Sequence, residues 1–206
     1  MRKVVVSEFV TLDGVMEDPG GAEGFEHGGW SIQLGSEEQE RFKFDELSAA
    51  DALLLGRATY EGFAAAWPSM MDAYRGPRRA ELQEYAGMMN GYPKQVVSST
   101  LEEPLEWSNS TLIKGSVAEE VSRLKQQPGK DILVFGSATL VNTLLEHDLI
   151  DEYRIMVFPV VVGSGKRLFG DGIDTKVLKL AKAETFSSGV VVLTYEPAGD
   201  GARQGP

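Results

Sequence analysis

The chain contains no cysteine. That single absence removes disulfides, thiolate metal centres and thiol nucleophiles together, and it fits a reducing cytoplasm. Histidine is nearly as scarce, with only His27 and His147 present. His147 reads as a cation near the end of a helix, and His27 as a surface residue in a glycine-rich loop. Two isolated imidazoles do not make a metal cluster, and no H-E-x-x-H pair occurs, so no metal is expected. A Ser-His-Asp hydrolase fails for want of a G-x-S-x-G elbow.

Basic residues are also short: Lys and Arg total 20 against 31 Asp and Glu, a formal net charge of -11. A nucleic-acid binder needs a basic face, and an anionic membrane surface would repel this chain. A local pocket can still oppose the global charge, so a small anionic ligand stays open. Long apolar runs are missing as well. The longest, Ile155 to Val162, is far too short to span a bilayer, and Val4-Val5-Val6 behind Met1-Arg2-Lys3 is too short for a signal peptide. The expectation is a soluble cytoplasmic protein with a small-molecule partner. Two phosphate fingerprints fail too. No G-x-G-x-x-G follows a strand, and Gly165-Lys166 resembles a P-loop end only until Val160 and Arg167 are read.

What is present is an alternation of apolar runs and helical patterns. With 206 residues, 42% of them hydrophobic, the chain can build one sizeable core. Strands are expected over 3–10, 52–56, 94–98, 111–114 and 131–135, each followed by a turn or a helix. Ser36 with Gln39 and Ser116 with Glu119 have the spacing of capping boxes. Trp67-Pro68 is expected to close a helix that begins at Arg57. Arg75-Gly76-Pro77 is expected to be a break, and Asn90 to Pro93 a loop. From Glu17 to Gly35 the chain is a long glycine-rich loop of the kind that serves as a lid. The last third is strand-rich: a strand from Ile150 interrupted by Pro159, then a hairpin over 177–195 turning at Ser187-Ser188-Gly189. The fold class expected is α/β, with a mainly parallel sheet and an antiparallel C-terminal edge, in one domain over 1–196 before a disordered tail over 197–206.

Three strand ends carry glycine or hydroxyl residues: Gly56-Arg57-Ala58-Thr59, Ser98-Ser99-Thr100 and Phe135-Gly136-Ser137-Ala138-Thr139-Leu140. In a parallel sheet these ends share one edge, where ligands bind. Two of them open helices, whose first-turn N–H groups can hold phosphate. Arg57 brings a guanidinium fork suited to a phosphate monoester. The same residues also suit plain structural connections, with Arg57 pairing Glu61 one turn on. Reducing a C=N bond takes a proton as well as a hydride, and a nearby carboxylic acid can supply it. The acids in and around the loop are Asp13, Glu17, Asp18, Glu37 and Glu38. Asp13 and Glu38 are the catalytic candidates.

Together these motifs resemble the dihydrofolate reductase superfamily, and within it the branch of the C-terminal reductase domain of the riboflavin-biosynthesis protein. The resemblance rests on Ser7-Glu8-Phe9-Val10-Thr11-Leu12-Asp13-Gly14, Leu54-Leu55-Gly56-Arg57-Ala58-Thr59-Tyr60-Glu61, Val97-Ser98-Ser99, Val134 to Leu140, and Phe158-Pro159-Val160-Val161-Val162-Gly163-Ser164-Gly165. It implies a three-layer α/β/α fold around a mixed sheet of about eight strands, and a homodimer. It implies NADPH as hydride donor. Gly56, Arg57 and Thr59 would meet its 2′-phosphate side, Ser98 and Ser99 its adenosine-phosphate side, and Phe135, Gly136, Ser137, Ala138, Thr139 and Leu140 its pyrophosphate. Leu12 and Gly14 would begin the loop over the nicotinamide, with Trp30, Pro159 and Gly163 toward the substrate. The implied activity resembles that of 5-amino-6-(5-phosphoribosylamino)uracil reductase. A pterin reductase and a non-catalytic NADPH-binding protein are the alternatives. Dihydrofolate ranks lower because Trp30-Ser31 lacks the proline that follows the tryptophan in folate reductases. A linked zinc deaminase activity is excluded by the absence of cysteine ligands.

Overall fold

Three apolar runs, Val4-Val5-Val6, Leu53-Leu54-Leu55 and Ile132-Leu133-Val134, are completely or almost completely removed from solvent. Consecutive apolar residues suit strands covered on both faces, and these runs form the middle of one sheet. The computed structural model describes residues 1–73 and 78–199. Its elements in chain order are β1 (Val4–Thr11), a short 3-10 turn (Ile32–Leu34), α1 (Glu37–Ser48), β2 (Ala50–Gly56), α2 (Arg57–Ala73), α3 (Arg79–Gly91), β3 (Lys94–Val97), β4 (Ser110–Ile113), α4 (Val117–Gln126), β5 (Asp131–Phe135), α5 (Ala138–Glu146), β6 (Glu152–Phe158), β7 (Leu178–Thr185) and β8 (Val191–Pro197). Among the described residues the sheet has eight strands in the order β4-β3-β2-β5-β1-β6-β8-β7. Every pairing from β4 to β6 is parallel, and β6–β8 and β7–β8 are antiparallel. This is the expected mixed architecture with its antiparallel C-terminal edge.

The helices cover both faces. Side chains of α4 and α5, among them Val121, Leu140, Val141 and Leu144, pack on Val4, Val6, Leu54 and Val134. On the opposite face Leu47, Tyr60 and Met89 meet Val5, Leu53, Leu55 and Leu133. A third cluster under the antiparallel end holds Trp30, Met156, Phe158, Phe186 and Val192. Both expected serine caps form: Ser36 Oγ accepts from Gln39 N at 3.2 Å, and Ser116 Oγ from Glu119 N at 3.4 Å. The first residues of the expected tail are ordered: β8 runs to Pro197, and Ala198 N donates to Val177 O. Residues 200–206 and the expected break at Arg75-Gly76-Pro77 lie outside the described residues.

Two helix boundaries differ from expectation. α2 continues past Pro68 to Ala73, and α3 takes in Asn90 and Gly91. A proline removes one backbone bond, but Phe63, Ala64 and Trp67 in the turns before it pack against the core. Asn90 then ties the two helices together. Its Nδ2 donates to Trp67 O at 3.0 Å and Ala86 O at 2.9 Å, while its Oδ1 accepts from Trp107 Nε1 at 2.7 Å. Lys94, fully buried at the start of β3, finishes the corner. Its Nζ donates to Asn90 O and Tyr92 O at 2.9 and 2.7 Å and lies 4.4 Å from the centre of the Trp107 ring. Burial lowers its pKa to about 8.

Removing that ammonium would take the side-chain donor from Tyr92 O and leave Asn90 O only the longer bond from Asn109 Nδ2 at 3.4 Å. Lys94→Met is therefore expected to lower unfolding free energy by about 2–3 kcal/mol in urea titrations at neutral pH. An unchanged midpoint would show that Lys94 does not hold this corner.

Candidate functional site

The C-terminal ends of β2, β3 and β5 and the middle of β1 open into one cleft of about 1190 Å³. It lies where a doubly wound sheet offers a crevice, because connections from neighbouring strands diverge there. β2, β3 and β5 contribute their last residues and the turns beyond, Gly56 to Thr59, Val97 to Thr100 and Phe135 to Leu140, while β1 contributes Ser7, Glu8 and Phe9 from its middle, level with the end of β5.

Two of these turns interlock. A Cβ on Gly56 would stand 2.0 Å from Ser137 Oγ, and a Cβ on Gly136 would stand 2.4 Å from Thr59 Oγ1. Each glycine thus leaves the room that a hydroxyl side chain from the other turn occupies. Gly136 and Ser137 both have positive φ, at 65° and 70°, and for Ser137 that conformation costs about 1 kcal/mol. Ser137 sits at the N-cap of α5 yet makes no side-chain cap bond. The first-turn N–H groups of α5 consequently face the cleft without the usual side-chain acceptor, which suits them to an anion. α2 starts at Arg57 directly after β2, and Arg57 Nη1 lies 3.1 Å from Glu61 on the exposed rim. Ser98 Oγ accepts from Thr100 N and Leu101 N at 3.1 and 3.0 Å, fixing the turn after β3, with Ser99 exposed beside it.

The structure therefore brings Gly56, Arg57, Thr59, Ser98, Ser99, Phe135, Gly136, Ser137, Ala138, Thr139 and Leu140 onto one wall. It does not bring the remaining expected residues there. Asp13 is a clip: its carboxylate accepts from Thr11 Oγ1, Val162 N and Gly163 N at 2.6, 3.2 and 2.8 Å. Those bonds, led by that of Thr11, hold its pKa down at about 2, so it has no proton to give near neutrality. Glu38 is exposed and accepts from the Ser187 side chain and N–H, which lower its pKa. It faces the β7–β8 turn, as does Phe42 of the same helix, whose ring lies 6.2 Å from Phe186. The face of α1 turned to the cleft carries Gln39, Glu40, Lys43 and Phe44. Trp30 belongs to the third core cluster, 5.3 Å from Phe158, with Nε1 donating to Glu17 O. Pro159 and Gly163 are exposed, Leu12 projects into solvent, and Gly14 turns the chain at φ 83°. None of these five lines the cleft.

The glycine-rich loop does form a wall, through Glu17 to Gly20, Ala22, Glu23 and Ser31. Asp18 stitches it: Oδ1 accepts from Ala22 N and Glu23 N at 2.8 and 3.1 Å, Oδ2 from Phe25 N at 3.2 Å, and its carbonyl from Gly29 N at 2.8 Å.

Three features of the cleft have no counterpart in the sequence expectations. Glu8, 3% exposed, points its Oε2 at Gly136 N, which donates at 3.1 Å. Its Oε1 is buried without a hydrogen-bond partner. Burial pushes its pKa up to about 8, against the opposing pull of Lys43 and the Gly136 N–H. Lys43 itself is committed: it ion-pairs with the buried Glu46, donates to Ser7 Oγ at 3.0 Å, and lies 4.1 and 5.3 Å from the ring centres of Phe135 and Phe9. Arg154 of β6 approaches the other Glu46 oxygen at 3.6 Å. Lastly, an aromatic row crosses the cleft from β5 to α3. Phe135, Phe63, Trp67 and Tyr85 follow one another at ring-centre spacings of 6.5, 6.1 and 5.5 Å. Glu8 did carry a signal: a charge inside an apolar strand covered on both faces has to be buried.

The model of the RibD C-terminal domain family matches residues 2–192. The chain is 32% identical over 194 residues to the uncharacterized protein YyaP of Bacillus subtilis (strain 168), covering 94% of each chain. Among solved structures it is similar to a putative riboflavin biosynthesis protein from Shewanella sp. PV-4, with a TM-score of 0.70 at 22% identity, covering 96% of this chain and 99% of that one. It also resembles dihydrofolate reductase from Enterococcus faecalis complexed with NADP(H), with a TM-score of 0.57 at 16% identity over 95% and 96% of the two chains. At these identities the two structures speak for the fold.

Glu8 gives the cleft a pH signature. The native carboxyl keeps its proton to about pH 8, whereas an unfolded glutamate releases it near 4.5. Between those values the unfolded state binds fewer protons, so stability falls as pH rises. Relative to Glu8→Gln, the wild type is expected to lose up to about 1 kcal/mol per pH unit across that window in denaturant titrations. Parallel pH profiles for the two proteins would contradict the raised pKa.

Proposed function

The chain belongs to the RibD C-terminal domain family, and from that premise we propose that it is an NADPH-dependent reductase of a small heterocyclic substrate. The observation that carries the reading is the pair of interlocked turns, which set the starts of α2 and α5 side by side on one cleft. Two helix starts on one wall match two phosphate clusters on one ligand. The volume also exceeds the ~300–1,000 Å³ of an ordinary single-ligand pocket, leaving room for a cofactor and a substrate together.

Each part of the wall has its task. The uncapped first turn of α5, entered through the left-handed Gly136-Ser137 pair, suits the pyrophosphate. Arg57 suits a 2′-phosphate, exchanging its exposed bond to Glu61 for a dianion at little cost because that pair stands in water. Ser99 and Thr100 offer hydroxyls beside it. The cofactor supplies the hydride, and the protein aligns the two reactants and excludes water between them. The aromatic row over Phe63, Trp67 and Tyr85 suits the flat face of a heterocycle. The substrate class we assign is a phosphoribosylated aminopyrimidine, as for 5-amino-6-(5-phosphoribosylamino)uracil reductase. Arg78, on the cleft lining and held by Glu40 and Glu81, is the cation that a phosphorylated tail would take from those carboxylates.

Saturating NADPH is expected to raise the melting temperature, worth about 2.7 kcal/mol at a hundredfold excess over Kd. Arg57→Ala should weaken NADPH by about 10- to 100-fold while leaving NADH nearly unchanged, because the lost contact is a charge-assisted bond to a phosphate that NADH lacks. Equal losses for both cofactors in fluorescence titrations would contradict the assignment of Arg57, and no shift at millimolar NADPH would contradict the reductase reading.

A further inference from the structure

Hydride transfer to a C=N or C=O bond leaves the heteroatom in need of a proton, so the cleft has to offer an acid. Among the described residues six carboxyl groups line it: Glu8, Glu17, Asp18, Glu23, Glu40 and Glu81. Glu40 and Glu81 are bound to Arg78. Asp18 accepts three loop N–H groups, and Glu17 Oε2 accepts from Lys166 N at 2.7 Å. Glu23 is exposed, where bulk water competes for its proton. Glu8 differs from four of the five in being buried, and from Asp18, which is equally buried, in having one oxygen with no partner and in standing beside the Gly136 turn.

We propose that Glu8 delivers the proton that accompanies hydride transfer in this cleft, acting as its catalytic acid. The assignment rests on the reductase reading. Its geometry divides the work between the two oxygens. Oε2 accepts the Gly136 N–H, so the proton resides on Oε1, which has no hydrogen-bond partner among the described residues. In the reaction the Oε1–H bond breaks and an N–H or O–H bond forms on the substrate. The pair of electrons from the broken bond stays on the carboxylate, and the hydride from the reduced cofactor supplies the new C–H bond. Water then restores the proton to Glu8.

The surroundings suit an acid that must be neutral before the reaction and tolerable as an anion after it. Ile155 of β6 is its partner across the sheet, and α5 brings no charged residue nearer than Glu146 at its far end. Apolar neighbours favour the protonated form, which burial sustains to about pH 8. From α1, Lys43 favours the anion and Glu46 opposes it. Arg154 is occupied by Glu46 and Glu152. The Gly136 N–H remains as a donor to the carboxylate when the proton has left.

Three readouts on wild type, Glu8→Gln and Glu8→Asp test this. Infrared difference spectra over a pH titration should show a protonated carboxyl band in wild type that disappears near pH 8 and is absent from Glu8→Gln. Fluorescence titration should show NADPH bound by all three proteins. NADPH oxidation with 5-amino-6-(5-phosphoribosylamino)uracil and with 7,8-dihydrofolate as probes should fall by about 10²–10⁴-fold in Glu8→Gln. Glu8→Asp should recover part of that rate with a displaced pH profile. A wild type without the band overturns the proposal, and so does Glu8→Gln turnover at the wild-type rate and pH profile. If neither probe reacts, the band decides. Failure of wild type to bind NADPH contradicts the reductase reading instead, with the band still observed.

Discussion

The mutual exclusion between two turns organises this molecule. Gly56 has no side chain because Ser137 Oγ needs its place, and Gly136 has none because Thr59 does. That contact fixes β2 against β5 at the one level where both strands give way to helices. It sets the start of α2 beside the start of α5, and it accounts for a serine held at φ 70° without capping its helix. A close-packed interior cannot absorb an added methyl at such a point without moving backbone. The cleft therefore follows from local packing, and the cofactor reading follows from the cleft.

Charge buried near the cleft is the second constraint. Glu46 sits among Lys43, Ser7 and Arg154, and Glu152 joins Arg154 to Lys3. The network pins α1 to β1 and β6, which holds the Lys43 ammonium against the rings of Phe9 and Phe135. A protein with a net charge of -11 thus places Lys43, with Arg154 behind it, where it orders the cleft wall. Glu8 feels the charges of Lys43 and Glu46 but makes no hydrogen bond to them, keeping a single one from Gly136 N. Buried polar atoms without partners are costly and few in folded proteins, and this one belongs to a residue on the cleft lining.

Much of the architecture was legible because its signals are local. Consecutive valines and leucines announced doubly covered strands, Ser36 and Ser116 announced helix starts, and the hairpin turn at Ser187-Ser188-Gly189 lay between two strand patterns. The cleft wall built by β2, β3 and β5 was legible for the same reason, each piece being a short motif at a strand end. What failed depended on where side chains point. Asp13 and Glu38 look like free acids in a string of letters, yet backbone N–H groups more than a hundred residues away claim both. Trp30 reads equally as ligand contact or core anchor until Phe158 appears beside it. Pro68 read as a helix stop because nothing local shows Asn90 reaching back to Trp67 O. The row from Phe135 to Tyr85 joins three elements and has no sequence period at all.

A crystal structure of the protein grown with saturating NADPH would test the account at its centre. The pyrophosphate is expected against the N–H groups of Ala138 to Leu140, with the adenosine end beside Arg57 and Ser99 and the nicotinamide toward Glu8. Cofactor density at any other surface, or a cleft without cofactor at concentrations that saturate binding in solution, would contradict it.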